Sequence, residues 1–283
     1  MAAEDLERGP APSKAYRNAG FIDSRAARGI RVLCELQEPQ LRLSEQNVEN
    51  VIMMFGSARA RAPDNPDVAA SLAVEISVPG AKRPPSSMLS SAYAIVETLA
   101  KRLACWSVER QALGLPAYAI GTGGGPGLME AANKGALEGG GRSAGFGISL
   151  PFEVSLNRYV EPELAFNFHY FMTRKMTMAY RMSALVIAPG GFGTCDELFE
   201  ILTLKQTGKI KRDLPVVLLG AGFWRTVINW EALVAAGVVA EQDVKSLVFA
   251  DTPDAAFDAV VAGIDELERK GHVGAPGHLS GIA

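Results

Sequence analysis

Two cations and three acids fall on either side of one glycine turn: Arg174 and Lys175 in Met172-Thr-Arg-Lys, and Asp196, Glu197 and Glu200 after Pro189-Gly-Gly-Phe-Gly-Thr-Cys. The stretch from Met172 to Lys209 reads as a helix, a short apolar strand over Ser183 to Pro189, a glycine turn and a second helix opened by acids. Such a turn leaves backbone amides at a helix N-terminus, where unpaired N–H groups and the helix dipole favour an anion. A phosphate fits there, held by Gly190, Gly191, Gly193 and Thr194. Charges of both signs beside it suggest chemistry as well as binding. Lys175 follows Arg174 by one helical position, about 100° around the axis, so the two need not face one pocket.

Plain structural readings compete with these. Thr194-x-x-Glu197 matches a capping box, in which the threonine accepts a first-turn amide and the glutamate folds back onto the cap, contributing about 0.5 to 2 kcal/mol. Asp196 and Glu200 suit the helix dipole or a solvated face. Cys195 and His169 lack a spacing that would pair a thiol with a base. The three histidines are scattered, so no metal is expected.

The elements that must hold these residues alternate along the chain. Apolar runs read as strands at Val51 to Phe55, Ala117 to Gly121, Ser143 to Leu150, Phe166 to Phe171, Ser183 to Pro189, Leu214 to Gly220 and Lys245 to Phe249. Helical patterns fall at Ile22 to Arg42, where Ile30, Leu33 and Leu36 should meet the body or another subunit, and at Met88 to Trp106 and Glu130 to Glu138. Others carry Arg174 and Glu197, and two more cover Phe223 to Ala236 and Pro253 to Lys270. Alternation of this kind predicts a single-domain, Rossmann-like, doubly wound α/β fold, with a mostly parallel sheet and helices on both faces.

Ligands on such sheets sit at the carboxyl ends of the strands, near the switch in strand order. The turns Gly56-Ser-Ala-Arg and Thr122-Gly-Gly-Gly-Pro-Gly should meet the Pro189 turn there, which adds Ser57, Gly124 and Gly125 to the candidate binding residues. No register of the glycines gives GxGxxG, and there is no GxxxxGK[ST] loop, so NAD binding and ATP hydrolysis lose their main support. Residues 1–43 form a tail and a helix, 44–270 the α/β domain and 271–283 a loose tail. Within the domain, 60–87 is a long insertion whose five prolines forbid continuous helix.

Bulk properties narrow the partners. The chain has 283 residues, 48% hydrophobic and 21% charged, enough for a sizeable core. Its net charge of −3 lacks the basic footprint of a nucleic-acid binder. Cys34, Cys105 and Cys195 are too far apart for a disulfide framework or a CxxC metal site, which points to a reducing cytoplasm. Without an eighteen-residue apolar run, no membrane span or export is expected.

Taken together, the spaced motifs resemble those of the LOG family, the cytokinin-activating nucleoside 5'-monophosphate phosphoribohydrolases that are often labelled lysine decarboxylases. Pro189-Gly-Gly-Phe-Gly-Thr-Cys-Asp-Glu is similar to the family's PGGxGTxxE, and Met172-Thr-Arg-Lys to its Arg-Lys pair. Phe55-Gly-Ser-Ala-Arg and Gly123-Gly-Gly-Pro-Gly-Leu-Met-Glu resemble its two earlier glycine turns, so the likeness runs from about Val51 to Phe249. The resemblance implies cleavage of the N-glycosidic bond of AMP or an N6-modified AMP, releasing base and ribose 5-phosphate. It also implies no cofactor, and at least a homodimer with the pocket near a subunit boundary.

Physical chemistry supports that implied reaction separately. A carboxylate beside the ribose stabilises an oxocarbenium-like centre or activates water, and Glu197 is the first candidate. Arg174 suits an electrostatic role, because a guanidinium is a poor proton donor. Lys175 and Glu200 join the binding residues. A lysine decarboxylase needs pyridoxal phosphate on a lysine, and no feature of the sequence selects one. The alternative reading is a non-catalytic nucleotide or molybdenum-cofactor carrier, which needs the phosphate loop but no oriented carboxylate.

Overall fold

The apolar strand runs assemble into one parallel sheet, the central ones buried on both faces and most of them followed by a crossover helix. A computed structural model describes residues 12–63, 85–150, 155–210 and 213–271. Its seven strands are β1 (Val51–Phe55), β2 (Ala119–Thr122), β3 (Ser143–Ile148), β4 (Ala165–Phe168), β5 (Met182–Ile187), β6 (Val216–Leu219) and β7 (Leu247–Ala250). They lie in the order β4-β3-β2-β1-β5-β6-β7, and every pair is parallel. The order reverses at β1, which pairs with β2 on one side and β5 on the other. This is the Rossmann-like α/β fold.

Side chains alternate between two cores. Ile52, Met54, Ala184, Val186, Val217 and Leu219 face one layer of helices, α3 (Pro85–Ala112), α4 (Leu128–Glu138) and α10 (Pro253–Arg269). Val51, Met53, Phe55, Leu185, Ile187 and Leu218 face the other. That layer holds α2 (Arg28–Glu45), α5 (Phe171–Arg181), α6 (Phe192–Gln206), α7 (Ala221–Val227) and α8 (Trp230–Ala235). Two short helices, α1 (Ala19–Ile22) and α9 (Glu241–Lys245), complete the described chain.

Several boundaries differ from the sequence reading. The N-terminal helix does not run unbroken from Ile22: α1 ends there, a short 3-10 turn spans Arg25–Ala27, and α2 begins at Arg28. Ile30 and Leu33 are exposed on this chain, and α2 meets the body through Pro39 and Leu43. The segment Phe223 to Ala236 is two helices, because Asn229 leaves the helix and its side chain caps α8 through the Ala232 amide. β4 stops at Phe168, so Phe171 already belongs to a helix. Most of the 60–87 insertion and the tail from 272 lie outside the described residues.

Candidate active site

Three turns meet at the carboxyl edge of the sheet. The Ala188 amide donates to the Phe55 carbonyl at 2.8 Å, the Ser57 amide to Pro189 at 3.0 Å, and the Leu128 amide to Ser57 at 3.0 Å. The turns after β1, β2 and β5 are thus joined through backbone, and Ser57 is the link. Gly127 allows the contact: its φ is +73°, and a Cβ there would lie 2.4 Å from the Ser57 carbonyl oxygen. Gly124 and Gly125 are held from outside. The Gly124 amide donates to Thr122 Oγ1 at 2.9 Å, and the Asn157 side-chain amide donates to the Gly124 and Gly125 carbonyls at 3.1 and 3.0 Å. Asn157 also reaches Asn133, itself buried and bonded to Thr122 and Ser143. Asn157 and Asn133 carried no motif in the sequence, and the loop's dependence on them shows only in three dimensions.

The helix after β5 starts earlier than a capping box would require. Gly191 is the cap of α6 and Phe192 its first residue, which puts Thr194 at the third helical position and Glu197 beyond the first turn. Glu197 therefore does not serve as the box's glutamate. The buried Thr194 side chain folds over Gly190, where a Cβ would lie 2.1 Å from its hydroxyl oxygen. Gly191 and Gly193 face open space, and Phe192 between them is 97% exposed. Helix geometry leaves the first amides of α6 without intrahelical partners. No acid lies in the first turn of α6, so Asp196 and Glu200 do not serve the dipole.

Instead those two acids bind Lys175. Its Nζ lies 2.8 Å from Asp196 Oδ2 and 2.9 Å from Glu200 Oε2, tying α5 to α6. Burial pulls the amine down, but the hydrogen bonds it donates to Asp196 and Glu200 outweigh that, and Lys175 stays above the ordinary lysine value. Arg174 turns the other way, into the protein. It is buried, its Nε donates to the Phe146 carbonyl at 2.8 Å, and Nη1 lies 3.6 Å from Glu197 Oε1. Its guanidinium also covers Gly123, where a Cβ would lie 2.6 Å from Nη2.

Glu197 is 6% exposed. Burial pushes its carboxyl up to about 7, with Glu200 and Asp196 adding to the rise, against the downward pull of Arg174 and Lys175. A buried carboxyl that titrates near neutrality beside a cation is suited to acid or base work. Cys195 is pushed up by burial, the reverse of an activated nucleophile. Among the described residues, no group of three His, Cys, Asp or Glu is placed to hold a metal.

Two cavities open at the turns and helices that carry these residues, and neither is lined by Arg174 or Glu197. One, of about 730 Å³, is lined by Arg59, Arg61, Tyr93, Gly127 and Glu130 at the first two turns. The other, of about 530 Å³, opens between α5 and α6 at Lys175, Asp196 and Glu200. A larger one of about 970 Å³, lined by Leu202, Trp230 and Leu247, includes neither Arg174 nor Glu197.

Residues 129–260 match the family model described as "Possible lysine decarboxylase", the label also given to the LOG family. That stretch of the chain is similar to the family. No curated protein matches the chain. Among solved structures, it is 20% identical to the Moco carrier protein from Chlamydomonas reinhardtii, covering 77% of this chain and 99% of that one at a TM-score of 0.47. It is 17% identical to the molybdenum cofactor binding protein from the phototrophic bacterium Rippkaea orientalis, covering 76% and 96% at a TM-score of 0.45.

The lysine decarboxylase label would require a lysine able to form a Schiff base with pyridoxal phosphate, with its amine held low. Lys175, the lysine of this site, is kept charged between two carboxylates. Lys205, which burial does pull down, donates to the Leu214 carbonyl ahead of β6, at the opposite end of the sheet. The residues at the carboxyl edge do not fit that cofactor. No described helix is long and apolar enough to cross a membrane.

Proposed function

We propose that the site hydrolyses the N-glycosidic bond of a purine nucleoside 5'-monophosphate, AMP or an N6-modified AMP, to free base and ribose 5-phosphate without a cofactor. The observation that carries this reading is the buried Glu197 carboxyl, titrating near 7 and 3.6 Å from Arg174, on the helix whose N-terminal turn is open to an anion. The 5'-phosphate binds the amides of Gly190, Gly191, Gly193 and Thr194, and this remote contact helps to hold the sugar at the reacting centre. The bond between the anomeric carbon and the base nitrogen breaks with its electron pair passing to the base. Glu197, as carboxylate, stabilises the positive sugar and takes a proton from the attacking water, and that proton leaves with the base.

Arg174 keeps Glu197 partly ionised and orients it. Lys175 and Glu200 line the cavity between α5 and α6, and Ser57, Gly124 and Gly125 complete the proposed binding residues. Around the α6 turn, Phe171, Met172 and Phe192 are more than half exposed, a rim suited to cover by a second copy in a homodimer or larger assembly.

Incubation of the purified protein with AMP should release adenine and ribose 5-phosphate in equal amounts by chromatography. No base release from any common nucleoside monophosphate overturns the reading, and tight stoichiometric retention of intact ligand marks a carrier instead.

A further inference from the structure

The helix that bears Arg174 and Lys175 is capped by another helix. Tyr170, the N-cap residue of α5, makes no side-chain cap of its own. Glu35, from the middle of α2, supplies one. Its Oε1 accepts the His169 amide at 2.8 Å, and its Oε2 accepts the Tyr170 amide at 3.3 Å and the Thr173 hydroxyl at 2.6 Å. Thr173 is fully buried and directly precedes Arg174. One turn earlier on α2, Arg31 donates to the Tyr170 hydroxyl at 3.3 Å and holds the Ile22 and Ser24 carbonyls with its other nitrogen. At the far end of α5, Arg181 donates to Gln40 and Ser44, each at 2.9 Å, and pairs with Glu49.

Two physical consequences follow from this placement. A carboxylate on bare amides at a helix N-terminus makes charge-assisted bonds in the favourable direction of the helix dipole. It therefore fixes the start of α5 more firmly than solvent would. Catalytic groups are sensitive to small shifts, since about 1 Å of misplacement can cost about 100-fold in rate. The Arg174 guanidinium is already 3.6 Å from Glu197, so a loosened first turn has little margin before the contact is lost.

We propose that Glu35 is a positioning residue of the site: its three bonds to His169, Tyr170 and Thr173 hold Arg174 against Glu197. The N-terminal helix is then part of the catalytic apparatus, not an appendage to it. The assignment rests on the reading of Arg174 and Glu197 as the reacting pair, and the measurements separate the two.

The test uses the full chain with Glu35→Ala and Glu35→Gln. Glu38→Ala serves as control, because Glu38 is exposed and pairs with Arg42 on its own helix. Three readouts are taken: kcat and KM with AMP, amide exchange over residues 169–175, and the titration of the Glu197 carboxyl by NMR. Glu35→Ala should lower kcat about tenfold with KM within about twofold. It should speed exchange over 169–175 and raise the Glu197 midpoint as the Arg174 charge is drawn off. The other groups facing Glu197, namely Lys175, Asp196 and Glu200, stay in place.

Glu35→Gln should recover part of each effect, because one oxygen remains to accept, and Glu38→Ala should match the wild type. A Glu35→Ala protein that keeps kcat within about twofold of wild type overturns the proposal. So does an unmoved Glu197 midpoint. If the wild type releases no base, the proposed reaction fails by itself, and the titration and exchange still decide whether Glu35 holds Arg174.

Discussion

Arg174 and Lys175 are adjacent on one helix and both reach acids of α6, yet their environments are opposite. Lys175 is matched by two carboxylates at 2.8 and 2.9 Å at the mouth of a shallow cavity. Arg174 is buried, with the Glu197 carboxylate at 3.6 Å and its Nε given to a backbone carbonyl. The lysine pairs are short and partly wet, the kind of contact that contributes about 0 to 1 kcal/mol. The arginine leaves Glu197 under-compensated, and burial keeps that carboxyl near 7. Complete pairing makes a clamp between helices, whereas incomplete pairing in a dry place makes a group that can exchange a proton near neutral pH.

The largest expected effect is on the under-compensated member. Glu197→Gln should lower base release by about 1000-fold while the protein stays folded by circular dichroism. A rate within tenfold of wild type would remove Glu197 from the mechanism. Wild-type activity should decline as pH falls through about 7, where the carboxylate protonates.

The stability sign runs the other way. The folded pKa of about 7 lies above the ordinary 4.5, so the stabilising contribution is full below 4.5 and lost as pH rises through 7. Glu197→Gln should therefore melt higher than wild type at pH 8, by at most about 3 kcal/mol, with the two curves meeting near pH 4.5. A wild type that melts higher at pH 8 would contradict the raised carboxyl.

A smaller loss is expected for Arg174→Ala, about 100-fold in kcat, because charge stabilisation is removed but the carboxylate remains. Its acid limb should also move to higher pH, since the Arg174 charge pulls Glu197 down. The smallest effect belongs to Lys175→Ala: a loss below about tenfold and a destabilisation of about 1 kcal/mol in a urea melt. If Lys175→Ala lost as much activity as Arg174→Ala, the contrast between the two cations would be broken.

Much of the scaffold was legible because its signals are local. Val51-Ile-Met-Met-Phe and Ser183-Ala-Leu-Val-Ile are apolar without interruption, as a strand covered on both faces must be, and both are strands at the centre of the sheet. The angular separation of Arg174 and Lys175 followed from helix geometry alone. The capping box, the competing reading of Thr194 and Glu197, does not form, because the helix has already begun at Phe192. The break at Asn229 had a readable sign, an asparagine able to cap the next helix, though it sat inside an apolar pattern that continued through it.

What joins distant segments had no such sign. Glu35 on the Tyr170 amide, Asn157 beneath the glycine loop and the burial that raises Glu197 each depend on residues far apart in the chain.

The sheet order has a consequence for how the chain comes to be made. β1 is synthesised before every other described strand, but one of its edges pairs with β5, where Val51 meets Met182. Until that later segment emerges from the ribosome, the central strand carries an unpaired edge, and bare edges invite wrong partners. Pairing across so long a stretch of chain is intrinsically slow. Shortened products that end before Ile187 should thus be prone to aggregation, and the same late event that closes the sheet brings the Pro189 turn against Ser57.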